Sequence, residues 1–210
     1  MIRTFVSAVC LGICLLPVLQ DDARAHDSNT TQLKYPPLPF VSDYGGPFEL
    51  TDYTGKTVTD RQYRGEYTVL YFGYTACADT CPIALNVIGT ALKDMGEMGQ
   101  QINPLFVNLD PERGSLKQLE EYVHLFNPRF IGLTGTTEQL RIAAAAYGIR
   151  YRRTQNPEGE PDIVHSGKIF LLGPDGKVIE YYPHEAPVDW LVTSITYHME
   201  KGTGMESSQQ

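Results

Sequence analysis

Apolar and polar positions change period repeatedly along the chain, and the changes outline alternating strands and helices. Residues 67–72 form a β-branched and aromatic run of the kind found in a strand buried on both faces. Pro82 then opens a helix to about Met95, whose apolar face is built from Ile83, Leu85, Val87, Ile88, Ala91 and Leu92, with Gly96 as a stop. Residues 105–109 read as a second buried strand. Ser115 caps a helix through Phe126 that gathers Leu116, Leu119, Val123 and Phe126 on one face. After a short strand at residues 130–133, Thr137 opens an alanine-rich helix ending at Gly148, a residue suited to a left-handed C-terminal cap.

The flanks complete the pattern. Residues 48–50 and 57–59 form a small hairpin about Thr54-Gly55-Lys56. Residues 149–151 and 168–172 read as strands around a polar excursion that carries Asn156-Pro157-Glu158-Gly159. Pro174-Asp175-Gly176-Lys177 then turns into a strand at residues 178–182. A last amphipathic helix runs from about Val188 to Met199 through Trp190, Leu191, Ile195 and Tyr197. This order implies an α/β fold, a three-layer sandwich with a central mixed sheet. The folded domain is placed at residues 48–200, after a polar and then proline-rich linker at 26–47 and before a flexible tail at 201–210.

Residues 1–25 read as a signal peptide: Arg3, an apolar run over residues 5–19, and Ala23-Arg24-Ala25 as an A-x-A cleavage site. The run is shorter than the roughly 20 residues a bilayer crossing needs, which favours a cleaved, soluble form and leaves membrane attachment open. Cleavage would remove Arg3 and Arg24 together with Asp21 and Asp22, so the formal charge of -8 is unchanged. An acidic chain of this kind excludes nucleic acid as the expected partner, because counterion release needs a basic surface. Cleavage would also remove Cys10 and Cys14 and leave Cys77 and Cys81, too few for a disulfide framework.

Those two cysteines lie where a strand meets a helix. Unpaired N–H groups and the positive dipole end of a helix N-terminus favour thiolate over thiol, which serves a nucleophile and a soft-metal ligand alike. Their i, i+4 spacing brings both sulfurs to one side, where they can share a metal or close a disulfide, and the pair alone does not decide. The spacing is one residue wider than the C-x-x-C of thioredoxin-type reductases and leans toward metal. Among the histidines, His26 falls in the linker, His124 within a helix, and His198 at a helix end where a solvated cap is usual. His184-Glu185 is followed by Pro187 and lacks the second histidine of a metalloprotease motif. His165, in Asp162-Ile163-Val164-His165-Ser166-Gly167-Lys168, precedes a hairpin strand; on composition alone it reads first as an ordinary loop histidine.

The segment Tyr71-Phe72-Gly73-Tyr74-Thr75-Ala76-Cys77-Ala78-Asp79-Thr80-Cys81-Pro82 resembles the Y-F-G-Y-T-x-C-x-D-x-C-P motif of the Sco/SenC family. Asp110-Pro111-Glu112-Arg113 resembles that family's D-P-E-R segment, and Val164-His165-Ser166-Gly167 through Asp175-Gly176 its histidine hairpin. The resemblance implies a thioredoxin-like fold with an inserted hairpin, and an exported, periplasmic protein serving assembly of the CuA centre of cytochrome c oxidase. It places Cys77, Cys81 and His165 at the copper-ligand positions, with one Cu(I) or Cu(II) per chain. The implied partner is a copper-accepting oxidase subunit, alongside another copper carrier or a thiol reductant. Soft thiolates and an imidazole suit that metal, whereas zinc ordinarily wants a fourth ligand. Ala78 stands where the family often has proline and Gly114 where it often has aspartate; neither change removes a ligand. Asp110 is expected to order the loop beside the site. Such a metallochaperone is not an enzyme in the strict sense. The alternative is a thiol-disulfide oxidoreductase with Cys77 and Cys81 as its catalytic pair, for which His165 would be dispensable.

Overall fold

The structure, a computed structural model, describes residues 44–157 and 159–206. The expected signal peptide and nearly all of the expected linker lie outside the described residues. Among those described, no helix is long and apolar enough to cross a membrane.

The chain opens with an antiparallel pair, β1 (Glu49–Asp52) and β2 (Thr57–Thr59), and a one-turn 3-10 helix at Asp60–Tyr63. Then come β3 (Tyr67–Gly73), α1 (Thr80–Asp94), a short α2 (Glu97–Gln100) and β4 (Ile102–Asn108). These lead into α3 (Leu116–His124), β5 (Ile131–Thr134) and α4 (Thr137–Ala146). A hairpin of β6 (Tyr151–Gln155) and β7 (Pro161–His165) precedes β8 (Lys168–Leu172), β9 (Val178–Pro183) and α5 (Val188–Glu206). The last helix thus continues past Met199, where the apolar pattern stops.

Seven strands form one sheet in the order β2-β1-β5-β4-β3-β8-β9, and β6 and β7 form a separate two-stranded sheet. β3 and β4 pair in parallel, as do β4 and β5, whereas β8 runs antiparallel to β3, so the sheet is mixed. Side chains alternate across it. From β3, Tyr71 points to one face, where it stacks with Phe106 and, beyond it, Tyr122 of α3. Phe72 points to the other, against Tyr147 at the end of α4 and Phe170 of β8. Helices cover both faces, as a three-layer sandwich requires. β3 is buried along nearly its whole length, which explains why its sequence shows no alternation.

Local signals set the helix ends. Ser115 and Gln118 form a reciprocal capping box at the start of α3, and Thr136 and Gln139 do the same for α4. Gly148 adopts φ +61° after α4, and the Ile149 amide reaches back to the Ala144 carbonyl, which closes the helix as the glycine foretold.

The histidine segment differs from the sequence expectation. His165 ends strand β7 rather than lying in a loop, paired across the hairpin with Tyr151. The polar excursion is itself a hairpin, at whose turn the Gly159 amide donates to the Asn156 carbonyl. Its strands carry one buried side chain, Ile163, and so lack the period-2 apolar signature that marks a strand in sequence.

Candidate metal centre

β3 delivers the chain to the cysteine loop at Gly73, and α1 begins three residues after Cys77. The Cys77 amide bonds back to the Tyr74 carbonyl in a tight turn. The loop then enters α1 so that the Cys81 amide donates to the Cys77 sulfur at 3.5 Å. One of the free N–H groups at the helix start is therefore aimed at a thiol, as the strand-to-helix placement implied. Thr80 Oγ1 lies 3.6 Å from the same sulfur. Both cysteines are unbridged thiols here; Cys77 is 8% exposed and Cys81 fully buried.

This environment separates the two sulfurs electrically. The Cys81 thiol donates to Cys77 and, with the Cys81 amide and the Thr80 hydroxyl, lowers the Cys77 pKa to about 4 against the opposing effect of burial. Cys81 moves the other way: its proton is held by the Cys77 thiolate, and burial adds to the upward push. The pair keeps one proton at neutral pH, on Cys81.

His165 reaches the pair from the far side. Its Nε2 lies 3.6 Å from the Cys81 sulfur, and its Nδ1 lies 3.2 Å from the Ser166 carbonyl oxygen. A carbonyl only accepts, so Nδ1–H donates to it and the Nε2 lone pair faces the thiol. Burial holds the imidazole below its usual pKa, in the neutral state a ligand needs. Tyr71 and Tyr74 fix the ring plane, both meeting it edge to face at centroid distances of 6.1 and 6.0 Å.

The residues fit a soft metal ion. Thiolate and imidazole bonds of about 2.3 and 2.0 Å at a tetrahedral angle would hold sulfur and nitrogen about 3.5 Å apart, close to the observed 3.6 Å. Gly73 leaves room for the sulfur, since a Cβ there would sit 2.8 Å from Cys81 Sγ. The Tyr71 hydroxyl is buried in the same wall, beside Cys81 and Thr80. Among the described residues no three His, Cys, Asp or Glu side chains are already closed into a metal-binding set. The three residues are gathered but not clenched.

The other sequence candidates are placed elsewhere. His124 packs edge to face on Tyr53. His184 pairs with Glu185, its ring against Gly167, one residue beyond the His165-Ser166 step. His198, expected as a solvated cap, instead pairs with Glu180 at 2.7 Å, because Glu180 faces inward from β9 and is almost fully buried. His26 lies outside the described residues. Asp110 orders its loop as expected, exchanging hydrogen bonds with Asn108 and pairing with Arg113. The sequence reading missed Tyr74, whose hydroxyl donates to Asp162 on the hairpin, and Arg153, which pairs with Glu112. Neither carries a local signal, since each partner is remote in sequence.

Sheet order, helix layers and inserted hairpin together define a thioredoxin-like protein whose dithiol faces a histidine brought in by the insertion. The chain belongs to the SCO1/SenC family, whose model matches residues 37–200. It is 36% identical over 158 residues to the human mitochondrial Protein SCO1 homolog, covering 74% of this chain and 52% of that one. It is 36% identical over 152 residues to Protein SenC of Rhodobacter capsulatus, covering 72% of this chain and 68% of the relative. The crystal structure of Arabidopsis thaliana ScoI with copper bound superimposes with a TM-score of 0.71 at 34% identity, over 75% of this chain and 98% of that one. The chain spans about half the length of the mitochondrial relatives it matches.

Proposed function

We propose that this protein is a copper metallochaperone, which takes up one copper ion through Cys77, Cys81 and His165 and passes it to the CuA site of cytochrome c oxidase during its assembly. The observation that carries the reading is the Cys81–His165 contact, with the imidazole neutral and its Nε2 lone pair turned to the sulfur. Two thiolates and an imidazole select Cu(I) and also tolerate Cu(II). Three ligands leave a position through which a partner's ligands can enter, so that the ion leaves by exchange rather than by release into water. The partner is then a copper-accepting oxidase subunit. The apolar run and A-x-A site within residues 1–25 support export, with the domain acting in the periplasm.

Anaerobic titration of the reduced protein with Cu(I) against a competing chelator tests this. One site per chain is expected, abolished by Cys77→Ser with Cys81→Ser and markedly weakened by His165→Ala. Binding indifferent to His165 would overturn the reading.

The asymmetry of the two thiols favours a second activity. Cys77, a thiolate near the surface, attacks a partner's disulfide to form a mixed disulfide and release one partner thiolate. Cys81 gives up its proton and attacks Cys77, freeing the second partner thiol and leaving a Cys77–Cys81 disulfide. The partner gains two electrons and the dithiol loses two. Disulfide reduction that survives His165→Ala would distinguish this activity from copper delivery.

A further inference from the structure

The hairpin that carries His165 pairs with no strand of the main sheet. An isolated two-stranded hairpin is marginal in water, so its position is set by side-chain attachments. Ile163 anchors it in the core, and Arg150 and Ser166 exchange backbone and hydroxyl bonds at its base. Further attachments run to the loop after β4. Arg113 pairs through Nε with Asp110, donates through Nη1 to the Pro161 carbonyl at the start of β7, and lies over the Tyr74 ring at 5.7 Å. Arg153 of β6 pairs with Glu112 and lies 3.8 Å from the other Asp110 oxygen. Asp110 is 3% exposed, so its carboxylate is a fixed post rather than a mobile surface charge.

We propose that Arg113 is a positioning residue for His165: its planar fork joins the buried Asp110 carboxylate to the Pro161 carbonyl, and so holds the β6–β7 hairpin with the imidazole against Cys81. The metal-affinity arm of this inference rests on the copper reading above; the attachment itself does not. A guanidinium suits the role because one rigid group serves both acceptors, whereas a lysine ammonium beside Asp110 is a compact point charge. Tyr74 adds a second attachment one residue further along β7, through Asp162, and the Arg113 guanidinium packs on the ring of that same tyrosine. The carbonyl bond, the ring contact and the carboxylate pair thus act as one unit on the strand that ends in His165.

Arg113→Lys tests this, because it keeps a cation beside Asp110 while losing the fork. In the metal-free reduced protein, amide hydrogen exchange in residues 151–165 is expected to quicken about tenfold while β3 and β4 keep their protection. Unchanged exchange in the hairpin would overturn the proposal whatever the protein does with copper. In Cu(I) competition, Arg113→Lys is expected to weaken binding, and adding His165→Ala to it should cost far less than His165→Ala costs alone. Full additivity of the two losses would show that Arg113 does not act through His165 and would overturn the positioning role. If His165→Ala alone leaves affinity unchanged, the copper reading fails and the exchange result judges the attachment by itself. Should Arg113→Lys fold poorly, Arg153→Gln, at a side chain 43% exposed, carries the same exchange expectation.

Discussion

Cys81 Sγ and His165 Nε2 lie 3.6 Å apart across 84 positions of sequence, one fully buried at the start of α1 and the other on a hairpin outside the main sheet. The contact is directional, because the Ser166 carbonyl claims the Nδ1 proton. At pH 7 the metal-free reduced protein should therefore show a neutral His165 in the Nδ1–H form, since burial lowers its pKa from the ordinary value. Nitrogen chemical shifts of the imidazole report this directly. A ring protonated on Nε2 would mean that the lone pair faces away from the sulfur.

The proton shared by the cysteines gives a pH signature. With its pKa drawn down to about 4 by the Cys81 thiol, Cys77 should alkylate at a rate nearly flat from pH 6 to 8, while Cys81 stays unreactive. The stability consequence has a definite sign. A depressed folded-state pKa makes the Cys77 contribution fully present above the unfolded thiol's pKa and lost as pH falls toward 4. Cys81, pushed up, acts oppositely and costs stability only above the unfolded pKa. The urea midpoint of the reduced protein, compared with Cys77→Ser, should accordingly show a difference that grows from pH 5 to pH 8.5. A pH-independent difference would contradict the thiolate assignment.

Much of this was legible in the sequence where one face of an element packs and the other does not. α3 announced itself through Leu119 and Val123, both buried, and through Ser115, which caps the helix as read. β3 was legible from composition because burial on both faces selects aromatic and branched residues. The hairpin strands were not, since Arg152, Arg153 and Val164 are all exposed and the pattern has no inside. The 3-10 turn at Asp60–Tyr63 and the four-residue α2 are too short to show a period. At the site, the cysteines were visible as a pair within one motif. His165 needed the family resemblance, because nothing local separates it from His184. Arg113 and Arg153 were invisible as a unit, since their partners Pro161 and Glu112 are fixed by tertiary structure.

The buried carboxylate on β9 should matter to stability rather than to the site. Glu180 is 1% exposed and accepts hydrogen bonds from Ser194 and His198 of α5, while Tyr182 donates to the same Ser194 hydroxyl. Ser194→Ala removes two of these buried hydrogen bonds, at a cost of about 1–3 kcal/mol. Urea unfolding measures this, and Cu(I) affinity should match the parent. A loss of affinity equal to that of His165→Ala would place α5 in the site.

Two glycines separate crowding from backbone conformation. At Gly73 a Cβ would lie 2.8 Å from both Cys81 Sγ and Phe106 Cε2, and both of those residues are fully buried. Neither neighbour is the free end of a flexible chain, so Gly73→Ala must push the sulfur off its place against His165, at about 1–3 kcal/mol for overpacking. Gly65 has open space around it but φ +91°, a conformation that costs an L side chain about 1–2 kcal/mol. Both alanine variants should therefore lower the urea midpoint by comparable amounts. Only Gly73→Ala should also weaken Cu(I) binding and slow formation of the Cys77–Cys81 disulfide, because only there is the loss routed through Cys81. Equal effects of the two variants on Cu(I) affinity would mean that binding follows global stability, and that the 3.6 Å contact between Cys81 and His165 does not set it.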